Sequence, residues 1–292
     1  MSRSTALLDQ NLSYLPENEN MDITTLTKDN LSLIIAQSGG ALEHFYNKNQ
    51  DDLVRFVFCA LEKMHKVSKG INRLYPHLEE DEELEFPIGI LVRSQMMDCL
   101  MVQHLKHTVF VEADKHPQPS KEALKATVKG ICYKLINAGT NSLIGEVYLS
   151  ENLTDQQKSE IAKKFASRFP QAFDLTSERP KQTRGFQITI KDLYLQSNHS
   201  ALITRDKIYN LYTFYSKYDH LSDWTSLAKR IPFDQRKGKI DLSVMLMMNA
   251  LRDLLAIVSD FDPDYAALQA SCLTVHTGLE SMRSLDNGGD ES

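Results

Sequence analysis

Long stretches of helical periodicity, prolines that fall between those stretches, and no strand-like alternation longer than a few residues predict an all-α fold. The expected architecture is a multi-helix bundle with an irregular connection near 170–187 and disordered tails. The 292 residues, 42% hydrophobic and 25% charged, are enough for one large helical domain or two smaller ones.

Residues 1–26 are polar and aperiodic, with Pro16, and read as a flexible N-terminal tail. The helical domain is expected over 27–284, with a sub-boundary at 170–187, and 285–292 as a second tail. Regular structure is predicted to start near Asp29, where Leu31, Ile34, Ile35, Leu42 and Phe45 keep helical spacing across the weak point Gly39-Gly40. A second helix, from about Asp51, aligns Leu53, Phe56, Val57, Ala60, Leu61, Met64, Val67 and Ile71 and ends before Pro76. The acidic run from Glu79 to Glu85 either holds a cation or basic partner or is a solvated linker. In the second case it also places negative charge before the next helix, where the dipole favours it.

That next helix, about Pro87 to Glu112, is apolar on much of its surface and is expected to be central. A fourth is predicted over Ser120–Ala138, with Gly139 as its C-cap. Thr154 begins a short charged helix that ends before Pro170. A short helix near 189–197 precedes a tyrosine-rich helix from Thr204 to about Leu221. Lys229 to Lys239 reads as a solvated basic loop, and two last helices, about 241–260 and 263–283, are split by Asp262-Pro263. The run Met245, Met247, Met248 reads as adaptable core packing.

A net charge of −6 disfavours a generic nucleic-acid coat. Cys59, Cys99, Cys132 and Cys272 form no CxxC pair; the first three sit among apolar residues and read as buried thiols in a reducing compartment. The N-terminus lacks a secretory h-region, and the most apolar short run, Val244 to Met248, is too short to span a bilayer. The chain is therefore expected in the cytoplasm, with no membrane contact.

Candidate chemistry concentrates on the tyrosine-rich helix. Successive helical residues turn about 100°, so Arg205, Tyr209, Tyr212, Ser216 and His220, separated by four, three, four and four, line one stripe. Imidazole works as a general acid or base near neutral pH, and tyrosine and serine hydroxyls orient it or a substrate. The alternative is a polar seam whose members satisfy one another. A second stripe holds Arg93, Leu100, His104 and His107. An arginine in that apolar setting needs an anionic or carbonyl partner, because a desolvated charge is expensive. His104 and His107 lie one turn apart, but no carboxylate shares their stripe, so no metal is expected and no cofactor is implied. The P-loop, dinucleotide-binding and nucleophile-elbow patterns are all missing.

Two segments carry a family resemblance. Ile90-Leu-Val-Arg93-Ser94-Gln-Met-Met-Asp98 resembles the "leucine-arginine-serine, then acid" helix of the bacterial domain of unknown function 5677 family. Tyr212-Thr-Phe-Tyr215-Ser216-Lys-Tyr-Asp-His220-Leu-Ser222 resembles its later helix with tyrosine, serine and then histidine and serine. The resemblance spans roughly residues 50–260 and implies an all-helical fold with no settled activity. In the family's pattern the acid follows the arginine by four residues; here Met97 takes that place and Asp98 follows. Asp98 lies about 140° round a regular helix from Arg93, so the two are not expected to pair.

These features predict a bacterial interaction or regulatory protein with a protein partner or as a homodimer. The alternative is a ribonuclease-like or phosphate-ligand-binding enzyme of a toxin or defence type. It would use His220, Ser216 and Tyr212 with Arg93, and Arg205, Tyr209 and His104 would bind an RNA or nucleotide ligand. The arginine–histidine spacing of small helical ribonucleases is not met: Arg73 and His77 come one residue short and Pro76 interrupts them.

Overall fold

The computed structural model describes residues 23–45, 52–186, 188–196, 202–216, 218 and 230–261. Among these lie eight α-helices and one two-stranded ribbon, the all-α architecture that the periodicity predicts. The helices are α1 (Ile23–Phe45), α2 (Asp52–Leu74), α3 (Glu85–Ala113), α4 (Lys121–Leu149), α5 (Asp155–Ala166), α6 (Ile190–Gln196), α7 (Leu202–Tyr215) and α8 (Phe233–Phe261). Between α5 and α6 the connection carries β1 (Phe173–Asp174) and β2 (Lys181–Gln182), paired antiparallel. Of the tail expected at 1–26, residues 23–26 belong to α1; residues 1–22, the tail at 285–292, the helix at 263–283, Cys272 and His220 lie outside the described residues.

Helix α3 is central, as its apolar surface predicts. It packs against α2, α4, α6, α7 and α8, and its Ile88, Val92, Met96, Cys99 and Leu100 are fully buried. Gly89 permits the closest approach: a Cβ there would stand 2.8 Å from the Tyr215 ring of α7. α8 joins the same core through Val244, Met247, Leu251 and Leu254, and it touches α1, α2, α3 and α7. Over Phe233–Asp260 this helix is long and apolar enough to cross a bilayer, with a mean hydropathy of 1.6, yet most of that stretch is buried in the fold. The five-residue run Val244–Met248 is thus the middle of a much longer apolar helix. Met247 and Met248 face the core, whereas Met245 is exposed.

Several boundaries move, each for a tertiary reason. α1 begins at Ile23 rather than Asp29, because Thr27 donates to Asp241 at 2.9 Å and Lys237 donates to Thr24 at 2.6 Å. α4 runs straight through Gly139, which therefore caps nothing. Its second half packs a satellite core of Ile144, Ala162, Ala166, Phe169, Ala172 and Phe173, and burial there outweighs the glycine's poor helix propensity. α5 opens as predicted: the Thr154 hydroxyl accepts from the Gln157 amide, and the Gln157 side chain accepts from the Thr154 amide. α8 starts at Phe233, so most of the supposed basic loop is helix. Cys99 and Cys132 are buried as expected, but Cys59 is exposed, lying on the solvent side of α2.

Candidate functional site

The tyrosine-rich helix ends earlier than its spacing suggests. α7 stops at Tyr215, where the chain turns: the Ser216 amide bonds to the Tyr212 carbonyl at 2.8 Å and the Tyr218 amide to the Tyr215 carbonyl at 3.1 Å. Ser216 therefore lies just past the helix, with its hydroxyl donating to the Thr213 carbonyl at 2.8 Å. Among the described residues the helical stripe holds for Arg205, Tyr209 and Tyr212. The turn has a clear cause, since it seats both Tyr215 and Tyr218 in the core against Gly89 and α3.

Cation–aromatic contacts lie along α7, and two of them involve the stripe. The Arg93 guanidinium of α3 sits over the Tyr212 ring at 5.6 Å, so the two sequence stripes do meet. Arg205 is buried, lies 4.5 Å over the Tyr194 ring of α6 and bonds to Asp206 at 3.2–3.3 Å. Tyr194 in turn stacks on Tyr209, with ring centroids 4.3 Å apart. Its hydroxyl is pushed up in pKa by the Asp206 carboxylate and by burial. These rings and cations hold each other, which is what a self-satisfied seam predicts.

His104 does not join them. It lies eleven residues beyond Arg93, about 16 Å along a regular helix. The imidazole is buried, its Nδ1 makes no hydrogen bond, and His107 and Lys134 of α4 act on it electrostatically. Burial first, then His107 and Lys134, push its pKa down to about 4, so it is neutral at pH 7. Asp98 is engaged elsewhere, as its rotation from Arg93 predicts. It pairs with Lys63 of α2 at 2.9–3.0 Å, and burial raises its pKa despite that lysine. Among the described residues no group of three or more His, Cys, Asp or Glu side chains is arranged to hold a metal ion.

Sequence reasoning missed the most heavily buried charges. The acidic run and the supposed basic loop meet: Arg236 of α8 bonds to Glu85 at 2.6 Å, to Glu82 at 2.7 Å and to the Ile231 carbonyl at 2.5 Å. Tyr218 donates to the other Glu85 oxygen at 2.6 Å. Nearby, Asp241 accepts from Tyr75 and from Thr27, and burial raises its pKa. The basic partners of the acidic run are thus the chain's own Arg236 and Lys237, the latter 3.3 Å from Glu79, while Glu80, Asp81 and Glu83 remain exposed to solvent. The available signal was charge inside apolar periodicity: Glu85 follows Leu84, and Asp241 sits between Ile240 and Leu242. No family model, curated protein or solved structure matches the chain.

Proposed function

We propose that this chain is a bacterial, cytoplasmic helical protein that acts by binding, as a homodimer or with a protein partner, rather than by catalysis. The carrying observation is the engagement of the stripe. Arg205 is held by Asp206 and Tyr194, and Tyr209 is stacked on Tyr194. A catalytic arginine must present its fork to a substrate anion, and this one is already occupied. Sedimentation velocity over a range of concentrations tests the reading: self-association supports it, and a strict monomer that also captures no specific partner overturns it.

One observation favours a second reading, a ribonuclease-like or phosphate-binding enzyme of a toxin or defence type akin to the domain of unknown function 5677 family. Arg93 of α3 converges on Tyr212, in the segment that leads to Ser216 and His220. In this reading Arg93 or Arg205 holds phosphate and His220 moves the proton. RNA cleavage lost in His220→Ala with the fold intact supports it; no cleavage by the wild type eliminates it.

A further inference from the structure

The net charge of −6 is unevenly spread along the chain. Residues 161–186 carry six Lys and Arg against two acids, Asp174 and Glu178, so this stretch is positive within a negative whole. Asymmetry of that kind points to a charged partner. The stretch comprises the end of α5, the β1–β2 ribbon and the turn after it, all built on the satellite core of Ala162, Ala166, Phe169, Ala172 and Phe173.

Backbone pairing brings its cations together. The Thr183 amide bonds to the Ala172 carbonyl at 2.8 Å, and the Ala172 amide bonds to the Phe169 carbonyl at 2.9 Å. Arg184 therefore lies beside the end of α5, where Lys163 and Lys164 occupy the last turn and Arg168 follows just past it. All four side chains are exposed, as is that of Arg179. None of these five forms an ion pair or donates a side-chain hydrogen bond. Lys181 stands across the ribbon from Asp174, whose carboxylate is already taken by the amide and hydroxyl of Thr176 at 2.9 and 2.6 Å.

The rest of the fold treats its cations differently. Lys63, Lys106, Arg236 and Lys237 each meet a carboxylate. The dipole of α5 accounts for Lys163 and Lys164 at its C-terminal end, but not for Arg179, Lys181 and Arg184. Like charges gathered without acids repel one another and cost stability, so their retention suits an external anion. Two guanidiniums are also held against rings: Arg179 lies 4.8 Å over Tyr148, and Arg168 lies 5.9 Å from Phe165. A ring steadies the guanidinium plane and leaves the N–H fork unbonded.

We propose that this lobe binds the sugar–phosphate backbone of a nucleic acid without reading its sequence, and that the negative remainder of the chain confines the contact to the lobe. Guanidinium forks pair with phosphate oxygens through two hydrogen bonds, and contact with a polymer backbone requires no pocket. The lobe is separate from the α7 stripe, and its binding requires neither self-association nor cleavage.

Fluorescence anisotropy of the full chain with a labelled single-stranded RNA, a single-stranded DNA and a duplex tests it, and the tightest of the three names the source of the phosphates. Log affinity should fall linearly with log salt at a slope of about −2 to −4, as for roughly three to five phosphates. Reversal of three lobe cations, Lys164→Glu with Arg168→Glu and Arg184→Glu, should weaken binding at least about tenfold. Its Tm should be unchanged or raised, because the three side chains are exposed and of like charge. Lys69→Glu with Arg73→Glu and Lys121→Glu reverses three exposed cations outside the lobe and should leave affinity within about twofold. No binding of any of the three at about 100 μM protein, an equal loss in the two triple variants, or polyglutamate binding as tightly as the best nucleic acid would each overturn the proposal, the last in favour of an acidic protein partner.

Discussion

Arg236 and Arg205 stand in opposite situations with the same kinds of partner. Each lies beside a carboxylate and an aromatic ring. Arg236 is held by two carboxylates and a carbonyl, and its bond to Glu85 joins residues 151 apart in the chain, tying α8 to α3. Arg205 bonds to the adjacent residue, Asp206, whose side chain is 47% exposed, so that pair ties no two elements together. Its contact with Tyr194 does reach another helix. Burial and sequence separation, rather than residue type, make the first a structural joint and the second a local one.

That contrast is broken most directly at Arg236. Arg236→Ala should destabilise by about 3–5 kcal/mol, since it leaves Glu85 buried without its cation. At about 2–4 °C per kcal/mol for a domain of this size, the melting point should drop by roughly 10 °C. A loss no larger than that of Arg205→Ala would erase the distinction. The double variant Glu85→Gln, Arg236→Met should recover part of the loss, because removing both charges removes the desolvation problem.

His104 is a third case, a buried titratable group with no hydrogen-bonding partner at Nδ1. Its pKa is about 4 in the fold against an ordinary 6.5 for histidine. The unfolded chain therefore binds more protons between these values, and stability falls as pH drops from 6.5 towards 4. The full effect is about 3 kcal/mol. His104→Leu should flatten this slope in urea titrations run at several pH values. The raised pKa values of Asp98 and Asp241 act in the opposite sense, losing stability as pH rises through their folded pKa, so each variant is compared with wild type at the same pH. An unchanged slope in His104→Leu would show that the imidazole is not shielded.

Smaller effects sharpen the comparison. Gly89→Ala should destabilise by about 1–3 kcal/mol, because its methyl group meets the packed Tyr215 ring. Equilibrium denaturation reads this directly, and a neutral result would mean that α3 and α7 separate easily. Arg205→Ala should lower stability by only about 0.5–1 kcal/mol, because its ion-pair partner Asp206 faces solvent and can be rehydrated.

The bundle was legible in the sequence because helical periodicity is local. Leu31 with Ile34, and Leu53 through Ile71, declare their buried faces without knowledge of any partner. The Thr154–Gln157 capping box was equally readable, since its partners are three residues apart. Of the candidate site, rotation aligned Arg205, Tyr209 and Tyr212 on α7 and separated Asp98 from Arg93 on α3. It failed at Ser216, because periodicity does not say where a helix stops when a tertiary pocket claims Tyr218.

By itself, then, the sequence determined the all-helical class, most helix positions and the central place of the segment around Arg93, all consequences of interactions within a few residues. Tertiary structure alone decided that Glu85 meets Arg236, that residues 23–28 dock on α8, that α4 continues past Gly139, and that Arg205 is already engaged. Each of these depends on which distant surfaces share a desolvated space, where an unpaired charge is too costly to leave and a buried apolar face outweighs a weak local preference.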